Sequence, residues 1–281
     1  MTDTGHMPPS NPCKPQMVMD FDLGEGQPTR LYFSTPHAVE LAWCAHEVLP
    51  ALQRIEHATR QGAWAAGYLA YEAAAGLDPK MAEAMDIAPN TKHAMPLLAF
   101  ALFDAPDPDP VFANGLAGTH PCAAPSKPAG EIGLQWHVNE TSDNYAKKIA
   151  AVRHTIAAGV ASHVNYTLRA QTQAGDGFSP WHYYESLQRR QQCRYGAYLD
   201  FGSHQVLSLS PELFFDWDRT DGRITTRPMK GTAPRGATPE LDAAQALRLQ
   251  TSAKERAENV MIVDLLRNDL GRIATTGSVH V

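Results

Sequence analysis

From Thr141 to Ala158 apolar side chains recur at Tyr145, Ile149, Val152 and Ile156, which places them on one face of a helix. Gly159 follows as a natural stop. His163–Thr172 has a different rhythm: Val164, Tyr166, Leu168 and Ala170 alternate as in a half-buried strand. Trp64–Tyr71, Leu97–Phe103, Ile132–Val138, Tyr195–Phe201, Gln205–Ser210, Leu213–Trp217 and Gly222–Pro228 also read as strands. Helical spacing returns near Ala38–Gly62, where Val39, Ala42, Val48, Leu52 and Ile55 set the rhythm, and Asp78–Pro96 reads as a polar loop. Ser179–Pro180 supplies an N-cap and a first-turn proline for a helix to about Cys193. Thr238–Pro239 starts another, and Ser252 with Glu255 forms a capping box for a helix closing near Gly271.

Helices scattered among strands with hairpin-length turns predict an α+β fold, with antiparallel β-sheets packed against helices. Residues 1–16, rich in Pro, Ser and Asn, are expected to be a disordered lead-in. Residues 17–104 form an N-terminal subdomain. Residues 105–130 carry Pro106, Pro108, Pro110, Pro121, Pro125 and Pro128, which no helix or central strand tolerates, and are expected to be a linker or exposed loop. Residues 131–281 then make up a second domain. Its last residues, Ser278–Val281, look like the start of a strand, so the fold is expected to be incomplete at its C-terminus.

Composition narrows the possibilities. The chain is 43% hydrophobic and 19% charged, with a formal net charge of −6. Such a balance gives no general attraction to nucleic acid. No apolar run approaches a membrane span, and the N-terminus lacks the features of a secretory signal. Cys13, Cys44, Cys122 and Cys193 are scattered, which fits a reducing compartment, with cytoplasm as the expected location. One stretch reverses the overall charge: Arg219, Arg223, Arg227, Lys230 and Arg235 fall within 17 residues. That run is either a set of solvated turns or an anion site.

Three segments have the residue types that chemistry needs. In Ser208–Phe215, Glu212 follows Pro211 and precedes Phe214 and Phe215. It is either an ordinary turn residue or a carboxyl group whose pKa is raised by aromatic neighbours, suited to general-acid work. In Arg227–Gly236, Gly231 allows close backbone approach, and its amide with the Thr232 hydroxyl can bind an anion. Neighbouring cations would help free the Lys230 amine for nucleophilic attack; the alternative is a basic hairpin tip. Glu258–Asp269 reads as too apolar for a surface helix, so Glu258, Asp264, Arg267 and Asn268 are expected near a packed core. Asp264, Arg267 and Asn268 can form a structural bracket, whereas Glu258 lacks an i+4 cation and suits a Mg²⁺ ligand. There is no GxxxxGK loop, HExxH or GxSxG motif.

In this order and spacing the three segments resemble the chorismate-binding family, which includes anthranilate synthase, isochorismate and salicylate synthases and aminodeoxychorismate synthase component I. The likeness runs from about Trp136 to Val281, and Gly67–Ala73 (GYLAYEA) is similar to the N-terminal region of the aminodeoxychorismate synthase branch, notably forms fused to a downstream lyase domain. That branch carries PIKGT, whereas anthranilate synthases usually have Ala in place of the lysine. Pro228-Met229-Lys230-Gly231-Thr232 follows the former. The resemblance implies an anthranilate synthase component I-like α/β sandwich. It also implies amination of chorismate at C4, with Lys230 adding covalently at C2 and Glu212 as general acid/base. Gly231 and Thr232 would contact the ring carboxylate, and Glu258 would be one ligand of a Mg²⁺ ion. Ammonia would come from a separate glutamine amidotransferase. Ser162-His163-Val164-Asn165 departs from the family's YQVN-like strand, so His163 stands near the incoming nucleophile, as a proton acceptor or a tolerated substitution. The segment with a second Mg²⁺ carboxylate and a GSITGAPK-like stretch is absent, so this chain alone is expected to be a poor catalyst. The alternatives are an anthranilate or salicylate synthase-type enzyme, and a non-catalytic scaffold for an amidotransferase.

Overall fold

The computed structural model describes residues 16–21, 29–108, 134–175 and 177–281. The lead-in up to residue 15, most of the proline-rich stretch, and Ile132 lie outside the described residues. The architecture is α+β, with antiparallel sheets packed against helices. Contacts divide the chain into two compact units: residues 1–110 with 187–281, and residues 111–186.

The first unit is built on two sheets. β1 (Gln16–Phe21), β2 (Thr29–Phe33), β8 (Tyr195–Asp200) and β9 (Gln205–Ser210) form one, in the order β2-β1-β8-β9. β3 (Ala38–Ala42), β4 (Trp64–Leu69) and β5 (Leu98–Phe103) form the other, in the order β3-β5-β4, and all pairings are antiparallel. The central strand β5 reads LAFALF because both its faces are covered. One face adds Leu98 and Leu102 to a core with Ala45, Val48, Ala51 and Ile55 of helix α1 (Ala45–Arg60). The other adds Ala101 and Phe103 to a core with Met17, Phe33 and Leu199 from the first sheet. The unit is therefore layered helix, sheet, sheet. Asp20, nearly fully buried in β1, accepts two hydrogen bonds from its cross-strand neighbour Arg30, which offsets the cost of burying the carboxylate.

Several expectations need correction here. The helix read over Ala38–Gly62 is strand β3 followed by α1. Ala38–Ala42 pairs along β5, and Glu47 accepts hydrogen bonds from the Trp43 and Cys44 amides, starting the helix at Ala45. The Val39–Ala42 spacing fits a helix, but a neighbouring strand with open hydrogen-bonding groups decided the outcome. The Asp78–Pro96 loop contains a short helix, α2 (Pro79–Ala84), because Asp78 caps it and Pro79 fills its first position. β1 and β2 were not foreseen. Ser278–Val281 forms no strand.

The second unit holds β6 (His137–Val138), helix α3 (Ser142–Ala157) and β7 (Ala170–Gln171). α3 matches the helix read over Thr141–Ala158 with Gly159 after it at φ +72°, and Thr141, read as part of the helix, is its cap. The strand read over His163–Thr172 shrinks to β7, which pairs only with the two residues of β6 among the described residues; alternation without a full partner makes no ladder. Glu140 joins two neighbours here, accepting from Tyr166 Oη at 2.7 Å and from Lys148 Nζ at 2.5 Å. These bonds hold its carboxyl below the usual range, the Lys148 contact first. Helix α4 (Pro180–Gln191) starts at Ser179, whose Oγ accepts from the His182 amide.

Candidate functional site

The candidate residues of the first unit follow β9. Ser210 closes this strand, and its Oγ accepts from the Glu212 amide at 3.2 Å, which turns the chain into β10 (Leu213–Trp217). β10 pairs with β11 (Ile224–Arg227) across a register shift between Leu213 and Asp216. The turn between them is local: Asp218 accepts from the hydroxyl and then the amide of Thr220, which keep its carboxyl below the usual range. Arg219 and Arg223 are exposed on this hairpin, so that part of the basic run is a solvated turn.

After β11 the chain runs without regular structure to Thr238, which caps α5 (Pro239–Thr251). This loop holds Lys230, Gly231 and Thr232. Glu212 reaches its start, with Oε1 accepting from the Met229 amide at 3.1 Å. Lys230 is half-buried and opens onto a cavity of about 360 Å³ that it shares with Leu249, Gln250, Glu255, Arg256, Asn259 and Val260. Among the described residues no carboxylate forms an ion pair with its amine. Gly231 has φ +75°, a left-handed conformation that favours glycine. A Cβ there would stand 2.6 Å from Glu255 Oε2. Thr232 is exposed.

Glu255 and Glu258 lie on α6 (Ala253–Gly271). Ser252 caps this helix by accepting from the Glu255 amide at 3.4 Å. The Glu255 carboxylate stands at Gly231 and on the cavity, a role that the capping-box pattern concealed. Glu258, one turn further, is half-buried and is not among the cavity-lining residues. Their i, i+3 spacing sets both carboxylates on one side of the helix. Among the described residues no three His, Cys, Asp or Glu side chains form a metal cluster.

Two expectations about this region do not hold. Phe214 and Phe215 leave 83% and 53% of their surface exposed and pack on each other, with ring centroids 5.0 Å apart, instead of enclosing Glu212. α6 buries none of its residues; Val260 and Leu265 are more than half exposed, and Arg267 meets Asp264 at 3.6 Å as an exposed i, i+3 pair. The apolar run is real, but among the described residues Ile262, Val263 and Leu266 are only partly covered. The remaining candidate, His163, lies in the second unit, where its Nε2 is 2.9 Å from Asn165 Oδ1.

Residues 21–281 match the family described as chorismate binding enzyme. Aminodeoxychorismate synthase of Streptomyces griseus is 44% identical over 166 residues, 59% of this chain and 22% of that protein. Aminodeoxychorismate synthase component 1 of Escherichia coli K12 is 42% identical over 147 residues, 52% of this chain and 31% of that protein. Anthranilate synthase component 1 of Synechocystis is 38% identical over 151 residues, 53% of this chain and 29% of that protein. The chain thus spans less than a third of each of these relatives. With a family match over nearly its whole length, the chain belongs to the chorismate-binding enzyme family.

Proposed function

We propose that the full-length protein is an aminodeoxychorismate synthase component I. It aminates chorismate at C4 with ammonia from a glutamine amidotransferase, giving 4-amino-4-deoxychorismate for para-aminobenzoate and folate synthesis in the cytoplasm. The observation that carries this reading is Lys230: an amine without a paired carboxylate among the described residues, half-buried at a cavity, in the Pro-x-Lys-Gly-Thr form of that branch.

Chemistry then assigns the roles. The neutral Lys230 amine adds to C2 of chorismate; the two ring double bonds shift toward C4 and the C4–O bond breaks. Glu212 gives the proton with which the hydroxyl leaves as water. Ammonia adds at C4, the electrons return along the same path, and the bond between C2 and Lys230 breaks to restore the free amine. The new ammonium returns a proton to Glu212, and the pyruvyl ether is untouched. The Gly231 amide and the Thr232 hydroxyl hold the ring carboxylate.

The donor set fits Mg²⁺, which binds through one or two carboxylates, waters and a ligand oxygen. Glu258 would hold it, with Glu255 one turn earlier on the same helix. When bound, the ion neutralises the substrate's ring carboxylate.

The test is product identification from full-length protein with chorismate, ammonia and Mg²⁺. The expected product is 4-amino-4-deoxychorismate. Direct release of anthranilate, the reading that the Synechocystis relative favours, would overturn the assignment.

A further inference from the structure

The loop that carries Lys230 has no regular structure of its own, yet both its ends are held by carboxylates. At the near end Glu212 accepts from the Met229 amide. At the far end Asp242, in the first turn of α5, makes three contacts. Arg235 Nε donates to Oδ1 at 2.7 Å, Arg235 Nη2 donates to Oδ2 at 2.7 Å, and the Gly236 amide donates to Oδ1 at 2.9 Å. This fork-on-carboxylate geometry fixes direction as well as distance. A separate observation shows that the loop is seated on the helix itself. A Cβ at Gly236 would lie 2.1 Å from the Asp242 amide nitrogen and 2.4 Å from the Leu241 carbonyl carbon, so only glycine allows the approach. The Arg235 contact, then the Gly236 amide, hold the Asp242 carboxyl below the usual range.

We infer that Asp242 is a positioning residue for Lys230, setting through Arg235 and Gly236 where the loop presents its amine to the cavity. The inference rests on the proposed role of Lys230. Global stability does not explain the clamp well: the Arg235 side chain is 89% exposed, and ion pairs in that setting contribute little to folding. An amine that must meet one ring carbon gains more from it, because a displacement of about 1 Å can cost a hundredfold in rate.

The experiment uses full-length protein with Asp242→Asn, Arg235→Gln, the double variant and Asp242→Glu. The expected result is a fall in kcat of about tenfold to a hundredfold. KM for chorismate and the melting midpoint should stay near wild type, the double variant should be no worse than either single, and Asp242→Glu should recover part of kcat. A second readout needs no turnover: in Asp242→Asn the rate at which an amine-reactive probe labels Lys230, read by peptide mass spectrometry, should change while Lys147 and Lys254 label as before. Unchanged kcat and unchanged Lys230 labelling would overturn the inference, as would a rate loss that follows the melting midpoint. Lys230→Ala is the separate control: if it still aminates chorismate, the proposed reaction path fails regardless of how Asp242 behaves.

Discussion

The strands β1–β5, β8 and β9 and the stretch from Pro211 to Val281 belong to one compact unit but spend their apolar residues differently. In the first group Met17, Val18, Leu98, Ala99 and Ala101 have no exposed surface, and β5 is covered on both faces. In the second no residue is buried, while Phe214, Val260, Leu265 and Ile273 are more than half exposed. The layered group carries the stability of this unit. The open group carries the candidate chemistry, and its order comes from point contacts: Glu212 to Met229, Asp242 to Arg235 and Gly236, and Glu255 beside Gly231. Mutations in the two groups should therefore separate stability from activity.

The largest effect is expected from Lys230→Ala, which should lower C4 amination by more than about a thousandfold while leaving the melting midpoint near wild type. A steady-state product assay alongside a thermal melt checks both halves. Phe103→Ala should do the reverse. Phe103 is 2% exposed in the core between the sheets, and its truncation should cost about 3–5 kcal/mol in denaturant unfolding. Gly231→Ala comes next. Left-handed backbone costs an alanine roughly 1–2 kcal/mol, and its methyl would press on the Glu255 carboxylate, so kcat should fall about tenfold.

A smaller effect concerns pH. His204, in the turn between β8 and β9, meets the Tyr68 hydroxyl of β4 at 2.9 Å and stacks on Phe201. Burial lowers its pKa, against an opposing pull from Asp200. The unfolded chain then takes up this proton first as pH falls, so stability should be full above about pH 6.5 and decline below it. His204→Gln should flatten that slope in melts between pH 7 and 5. Leu265→Ala should matter least: 55% exposed on α6, it should shift stability by less than about 0.5 kcal/mol, and a larger loss would mean that α6 is covered in solution.

What the sequence made legible follows the range of the interactions involved. Thr238 and Ser252 announced α5 and α6 because a cap is a contact three residues long. The hairpins β8–β9 and β10–β11 were readable because their partners adjoin in the chain. β3 was misread because its partner β5 lies far along the sequence, with Leu41 opposite Ala99. In the site, Lys230, Gly231 and Thr232 stood out as a motif, and Glu212 and Glu258 through their setting. Glu255 was concealed by a capping pattern that explained it locally, and Asp242 by an exposed pair with Arg235 that looks like ordinary surface charge.

The most direct test is to mix full-length enzyme with chorismate and Mg²⁺, leave out ammonia, quench, and map the peptides by mass. The account predicts that the peptide containing Lys230 gains the mass of chorismate less one water, and that added ammonia before the quench discharges it. An unmodified Lys230 in an enzyme that then forms product at its full rate when ammonia is supplied would contradict the account.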